Sequence, residues 1–176
     1  MAKDGSGEMI YIDADASTGI ANFDFDHLSA SDLEALMHQG PSLPYNLRPG
    51  AKTLVIGPGG GWDVSRALAS GSHDVTGVEI NPIIGTDIMR KMPQYSRGLY
   101  LRPDVHIHIE DGRSFARRST EKYKVIQATL VDTWASTAAA AANSTETART
   151  VLGPPNVFSR STRARQPPAA PTRSKK

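Results

Sequence analysis

The 176-residue sequence contains no cysteine. Disulfides, thiolate metal sites and a cysteine nucleophile are therefore excluded, and the composition favours a cytoplasmic setting. No apolar run approaches the roughly 20 residues that cross a bilayer. The opening stretch MAKDGSGEMI also lacks the apolar centre of a signal peptide. What remains is about one domain's worth of chain with no membrane partner.

The net charge of +2 hides an uneven distribution. Seven basic residues and one acidic residue lie from Asn143 onward, whereas residues 1–142 carry 13 basic and 17 acidic side chains. The body is slightly acidic, so it lacks the basic face that a specific nucleic-acid partner requires, and the basic tail offers only Phe158 for base stacking. Five prolines and no periodic apolar pattern follow Val151. Residues 143–176 therefore read as a tail, first Ala-rich and then Pro/Arg-rich and disordered.

Upstream the patterning is richer. EMIYIDADAS alternates β-prone residues and ends in acids and small residues, which predicts a strand or hairpin. In SASDLEALMHQGP, Ser31 and Glu34 stand at capping-box spacing, Leu33, Leu36 and Met37 share a helical face, and Gly40-Pro41 stops the helix. SLPYNLRPGA reads as a linker, so residues 1–50 form a hairpin, a helix and a connection. Residues 51–142 alternate strand and helix. A strand at Thr53–Ile56 precedes glycines and a helix carrying Val64, Ala67 and Leu68 up to Gly71, and DVTGVEI is the second strand. Asn81-Pro82 then opens a helix that buries Ile84 and Ile88; VHIHIE, a short basic helix after Asp111-Gly112, and YKVIQATLV complete the series. This order predicts an α/β, Rossmann-like, doubly wound and mostly parallel sheet.

The glycines ask for an explanation, because glycine held in place costs backbone entropy. In an open α/β sheet, ligands bind beyond the carboxyl ends of the strands. Gly57, Gly59 and Gly61 give G-x-G-x-G, whereas a dinucleotide fingerprint would need glycine at Trp62. The looser spacing suits a nucleoside with a small charged tail. Glu79 ends the second strand 22 residues after Gly57, where a carboxylate can accept from both ribose hydroxyls. Asp111 ends the third strand and can accept from an adenine amino group, with Gly112 leaving room for the base. Each has a plainer alternative: a helix N-terminal charge for Glu79, a tight turn for Asp111-Gly112. His106 and His108 share a strand face as a metal pair would, but no third ligand accompanies them, so no metal site is expected. Arg113, Arg117 and Arg118 read as a solvated helix face.

Together LVIGPGGGWDV, VTGVEINP, EDGRSF and YKVIQATLVDTW resemble the spermidine-synthase-like branch of the S-adenosylmethionine-dependent methyltransferase fold, over residues 8–140. The resemblance implies that Gly57, Gly59 and Gly61 flank the amino-acid part of the cofactor, with Glu79 on the ribose and Asp111 and Gly112 at the adenine. It also implies an acid in the glycine loop and two aspartates after the fourth strand. Here those positions hold Gly60, Thr129 and Asp132, so only the last acid is present. The family's sheet continues where this chain turns to alanines, and the resemblance therefore implies a fold truncated after the fourth strand.

The expected activity is transfer of a methyl or aminopropyl group from S-adenosylmethionine or its decarboxylated form to a small molecule, with Asp132 as base. Asp132 could instead cap a helix beginning near Trp134. The alternatives are a non-catalytic remnant that keeps the cofactor pocket and an NAD-dependent oxidoreductase, which Trp62 disfavours. An unfinished sheet exposes an edge, which makes self-association between copies an expected partner interaction.

Overall fold

Apolar side chains fill both faces of the two central strands, which is what a parallel sheet covered by helices on each side demands. All of β3 (Thr53–Ile56) and all of β4 (Val75–Glu79) is buried. The computed structural model describes residues 7–12 and 16–129. Within them β5 (Val105–Ile109) and β6 (Val125–Ala128) complete a parallel sheet of order β5-β4-β3-β6. The chain begins at β3, steps outward to β4 and β5, and returns to lay β6 on the other side of β3. Strand order therefore reverses between β3 and β6, the place where an open α/β sheet opens a crevice at its carboxyl edge.

Helices cover opposite faces, as right-handed crossovers in opposite directions require. Val55, Val75, Val105 and Val125 pack with Val64 and Ala67 of α3 (Trp62–Ala69) on one face. Leu54, Ile56 and Val78 pack with Phe115 of α4 (Gly112–Arg118) on the other. The expected doubly wound α/β architecture is the observed one. Strands β1 (Met9–Ile12) and β2 (Ala16–Gly19) form a separate antiparallel hairpin with Met9 opposite Gly19. Ile10 and the following Ile20 and Ala21 join the same core as Val55 and Tyr45, so the hairpin is packed onto the sheet domain. Among the described residues no helix is long and apolar enough to cross a membrane.

Three local expectations change. The capping box of α1 (Ala30–Met37) is Ser29 with Asp32, not Ser31 with Glu34: the Asp32 N–H donates to Ser29 Oγ at 3.1 Å, and the Ser29 N–H to Asp32 Oδ2 at 3.3 Å. The spacing was right and the register two residues late, because aspartate reaches back from the third position as glutamate would. The presumed linker folds as a 3-10 turn (Gly40–Ser42) and a short helix, α2 (Leu43–Leu47). Pro44 suits an early helical position, the Ser42 hydroxyl donates to Met37 O at 2.6 Å, and Tyr45 is 1% exposed. After Pro82 the chain winds as a π-helix (Ile83–Ile88), with Met89 N–H donating to Ile84 O. Asn81 caps it, its Oδ1 accepting from Ile83 N–H at 3.0 Å, and Ile84 is buried as expected.

The expectations for Asp132, for a sheet ending after β6 and for a disordered tail concern residues outside those described.

Leu36 is fully buried where α1 meets α3. Leu36→Ala should lower unfolding stability by about 2–4 kcal/mol through lost burial and the cavity left behind, read as a shift of the urea midpoint at unchanged slope.

Candidate functional site at the carboxyl edge

Residues 57–61 leave β3 through left-handed backbone at Gly57 (φ 66°), Gly59 (φ 51°) and Gly61 (φ 92°), which side-chain-bearing residues adopt at a cost. Every amide in this loop has a protein acceptor. Gly57 donates to Val78 O at 2.9 Å, Gly61 to Pro58 O at 2.8 Å, Gly59 to Glu79 Oε2 at 3.0 Å and Gly60 to Thr18 Oγ1 at 3.2 Å. Pro58 has no N–H. The amides of residues 57–61 are therefore not available to a phosphate, whereas the first turn of α3 carries no side-chain cap.

The glycines are also packed by protein. A Cβ at Gly60 would overlap the carbonyl oxygen of Gly19, one at Gly61 would overlap Leu99 Cδ2, and one at Gly59 would lie 3.0 Å from Thr18 Oγ1. Sequence reasoning expected a ligand close to this backbone; the structure puts the hairpin there. Ala21 N–H donates back to Gly60 O at 2.8 Å, which fastens the two segments in both directions. Trp62, where a dinucleotide loop has glycine, stands edge-on to Phe23 with ring centroids 5.4 Å apart. Thr18 and Gly19 carried no sequence signal, since nothing in a short hairpin announces what packs on its second strand.

Glu79 is 4% exposed at the end of β4. Burying a carboxylate is costly unless it is hydrogen-bonded, and here Oε2 accepts from Gly59 N–H while Oε1 accepts from Asn81 N–H at 2.9 Å. One lone pair on each oxygen remains beyond those two bonds. Tyr100, 3% exposed, donates its hydroxyl to Gly59 O at 2.7 Å. Burial, and then the nearby Glu79 charge, hold its phenol pKa well above the ordinary value, so it stays a neutral donor. The loop after β3 and the acid after β4 thus form one hydrogen-bonded rim.

Asp111 follows β5 and caps α4, its Oδ1 accepting from Ser114 N–H at 2.8 Å. That bond, chiefly, holds its carboxyl below the usual range, and the Arg113 charge adds to the effect. Gly112 lies where a Cβ would come 2.7 Å from Ile56 Cγ2, so strand packing alone requires glycine there. After β6, Gln127 Nε2 donates to Thr129 Oγ1 at 2.5 Å, beside the end of β3 because Ala128 pairs with Ile56.

A cavity of about 450 Å³ lies elsewhere, between α4 and the sheet, lined in part by Lys52, Asp74, His106, His108 and Tyr123. Strand polarity puts Lys52 and Asp74 at the opposite end of the sheet from the glycine loop, so this cavity is not the crevice of the switch point. His106 and His108 are exposed on β5, an edge strand among the described residues. Arg118 pairs with Glu110 and covers the Phe115 ring.

No family model matches the chain, and no curated protein sequence does. Among solved structures it is similar to a spermidine synthase in complex with the transition-state analogue AdoDATO, with a TM-score of 0.44 and 24% identity over 56% of this chain and 33% of that one. It is also similar to a proposed RNA methyltransferase, PH1948, from Pyrococcus horikoshii, with a TM-score of 0.40 and 15% identity over 62% of this chain and 54% of that one. The chain spans about a third and about half of those two chains. What its own strand order and helix placement define is a doubly wound α/β protein with its switch point between β3 and β6.

Gly60→Ala would force the new methyl into the Gly19 carbonyl and push the hairpin away. It should cost about 2–3 kcal/mol of stability and raise amide exchange at Ile20 and Ala21, which hydrogen-exchange mass spectrometry reads.

Proposed function

We propose that this chain binds an adenosyl sulfonium, S-adenosylmethionine or its decarboxylated form, and transfers a methyl or aminopropyl group from it to a small nucleophile. The observation that carries this reading is the Glu79 carboxylate, which ends β4 and is tied through the Gly59 amide to the loop after β3. Its two remaining lone pairs suit the two hydroxyls of a ribose. The amides of residues 57–61 are all engaged and so offer a pyrophosphate nothing, and Trp62 stands where a dinucleotide loop has glycine; both weigh against the nicotinamide dinucleotide alternative.

In this reading Gly57, Gly59 and Gly61 pass the amino-acid tail, Glu79 holds the ribose, and Asp111 with Gly112 receives the adenine. The cofactor supplies a carbon made electrophilic by a cationic sulfur. The chain's part would be to bind and orient the nucleophile toward that carbon. Asp132, three positions beyond Thr129, takes the nucleophile's proton. The partner is a small molecule, and the reading needs neither nucleic acid nor a membrane. A non-catalytic remnant would keep the binding half of this description and lack the transfer.

Glu79→Ala should weaken S-adenosylmethionine binding by about 2–4 kcal/mol, measured by titration calorimetry on protein whose fold is verified by circular dichroism. Unchanged affinity in a folded variant sinks the role of Glu79. Asp132→Asn should bind the cofactor as the unaltered chain does and lose transfer; equal transfer by both removes Asp132 as the base.

A further inference from the structure

The described carboxylates around the crevice are already engaged, which restricts the charge an acceptor can carry. Glu79 is buried and receives two amide donors. Asp111 caps α4 beside the Arg113 charge. Glu110 pairs with Arg118, and Asp63, in the first turn of α3, pairs with Arg66 at 2.7 Å. Of these described carboxylates, Asp63, Glu110 and Asp111 each have a cation beside them, and Glu79 has its two amide donors. Nor can a loop side chain add another acid, since the Gly19 carbonyl fills the place of a side chain at Gly60. A diamine or polyamine brings two or more ammonium groups that lose hydration on binding and need uncompensated carboxylates in exchange, and Asp132, the proposed base, answers at most one of them.

The described polar groups next to the end of β3 are instead neutral. Ala128 pairs with Ile56, so Thr129 follows at the level of Gly57, and Thr129 Oγ1 accepts from Gln127 Nε2. With that bond made, the Thr129 hydroxyl proton, the second Gln127 amide hydrogen and the Gln127 carbonyl oxygen remain, so donors and an acceptor lie together. Both side chains are half-buried rather than covered. A donor and an acceptor side by side match a hydroxyl or an amide, each of which both gives and takes a hydrogen bond.

Resting on the adenosyl-sulfonium reading, we infer that the acceptor is an uncharged nucleophile bearing a hydroxyl or amide group, held by Gln127 and Thr129, and not a diamine. Such a group sits at the switch point, in line with a sulfonium carbon seated over the glycine loop. Thr129 and Gln127 are positioning residues in this arrangement.

The test compares 1,4-butanediol with putrescine, which has the same carbon chain with ammonium groups in place of hydroxyls. S-adenosylhomocysteine, the unreactive thioether, is titrated first by calorimetry; if it does not bind, the cofactor reading fails, and the acceptor inference falls with it. On the loaded chain, ligand-observed NMR should show the diol binding about tenfold more tightly than the diamine. Thr129→Val and Gln127→Leu should each weaken the diol while leaving the thioether affinity unchanged. Thr129→Asp should reverse the preference. Putrescine binding as well as or better than the diol overturns the inference, as do absence of diol binding and diol affinity unmoved by both neutral substitutions.

Discussion

The carbonyl of Gly19 occupies the space that any side chain at position 60 would need, and much of the molecule is arranged around that close approach. Because the two backbones can meet, Thr18 reaches the Gly60 amide and Ala21 reaches the Gly60 carbonyl. Those bonds bring Ile10, Ile20 and Ala21 into the core that Val55 and Val64 build from the sheet side. The hairpin would otherwise be a two-stranded ribbon of eight residues, too small to stand alone in water. Its stability is borrowed from the loop, and the loop's left-handed path is held in turn by the hairpin.

The same economy explains how a buried acid survives at the rim. Glu79 gives up hydration and regains two amide hydrogen bonds, one from the loop after β3 and one from Asn81 after β4. Tyr100 closes the far side by donating to the Gly59 carbonyl, and its burial keeps it neutral and therefore a donor. The loop is thus fixed by contacts within the protein itself.

Much of this architecture is legible in the sequence, and for identifiable reasons. The strands at Thr53–Ile56 and Val75–Glu79 are short apolar runs followed by turn residues, which is how fully buried parallel strands read. Gly71 ends α3, and Asp111 and Asn81 are helix caps by residue type. What stayed hidden depends on contacts distant in sequence. The sequence shows that residues 57–61 need glycine but not that Thr18 and Gly19 are the cause at position 60, some 40 residues away. The helix at Leu43–Leu47 reads as linker because the stretch SLPYNLRPGA, with two prolines and a lone tyrosine, has no helical period; burial of Tyr45 decides it. The π-helical turn after Pro82 likewise has no sequence signature, since Ile84 and Ile88 fit an α-helix equally well. Of the acids expected at the site, Glu79 and Asp111 stand where strand order predicts. Their engagement with Gly59 and Ser114 could be learned only from the structure.

The central proposal is that the crevice beside the glycine loop, whose amides are engaged by Val78, Glu79, Thr18 and Pro58, takes an adenosyl sulfonium in preference to a dinucleotide. Parallel calorimetric titrations of the full chain with S-adenosylmethionine and with NAD test it most directly. The geometry predicts S-adenosylmethionine binding at least about tenfold tighter than NAD. Saturable NAD binding of equal or greater affinity would contradict it.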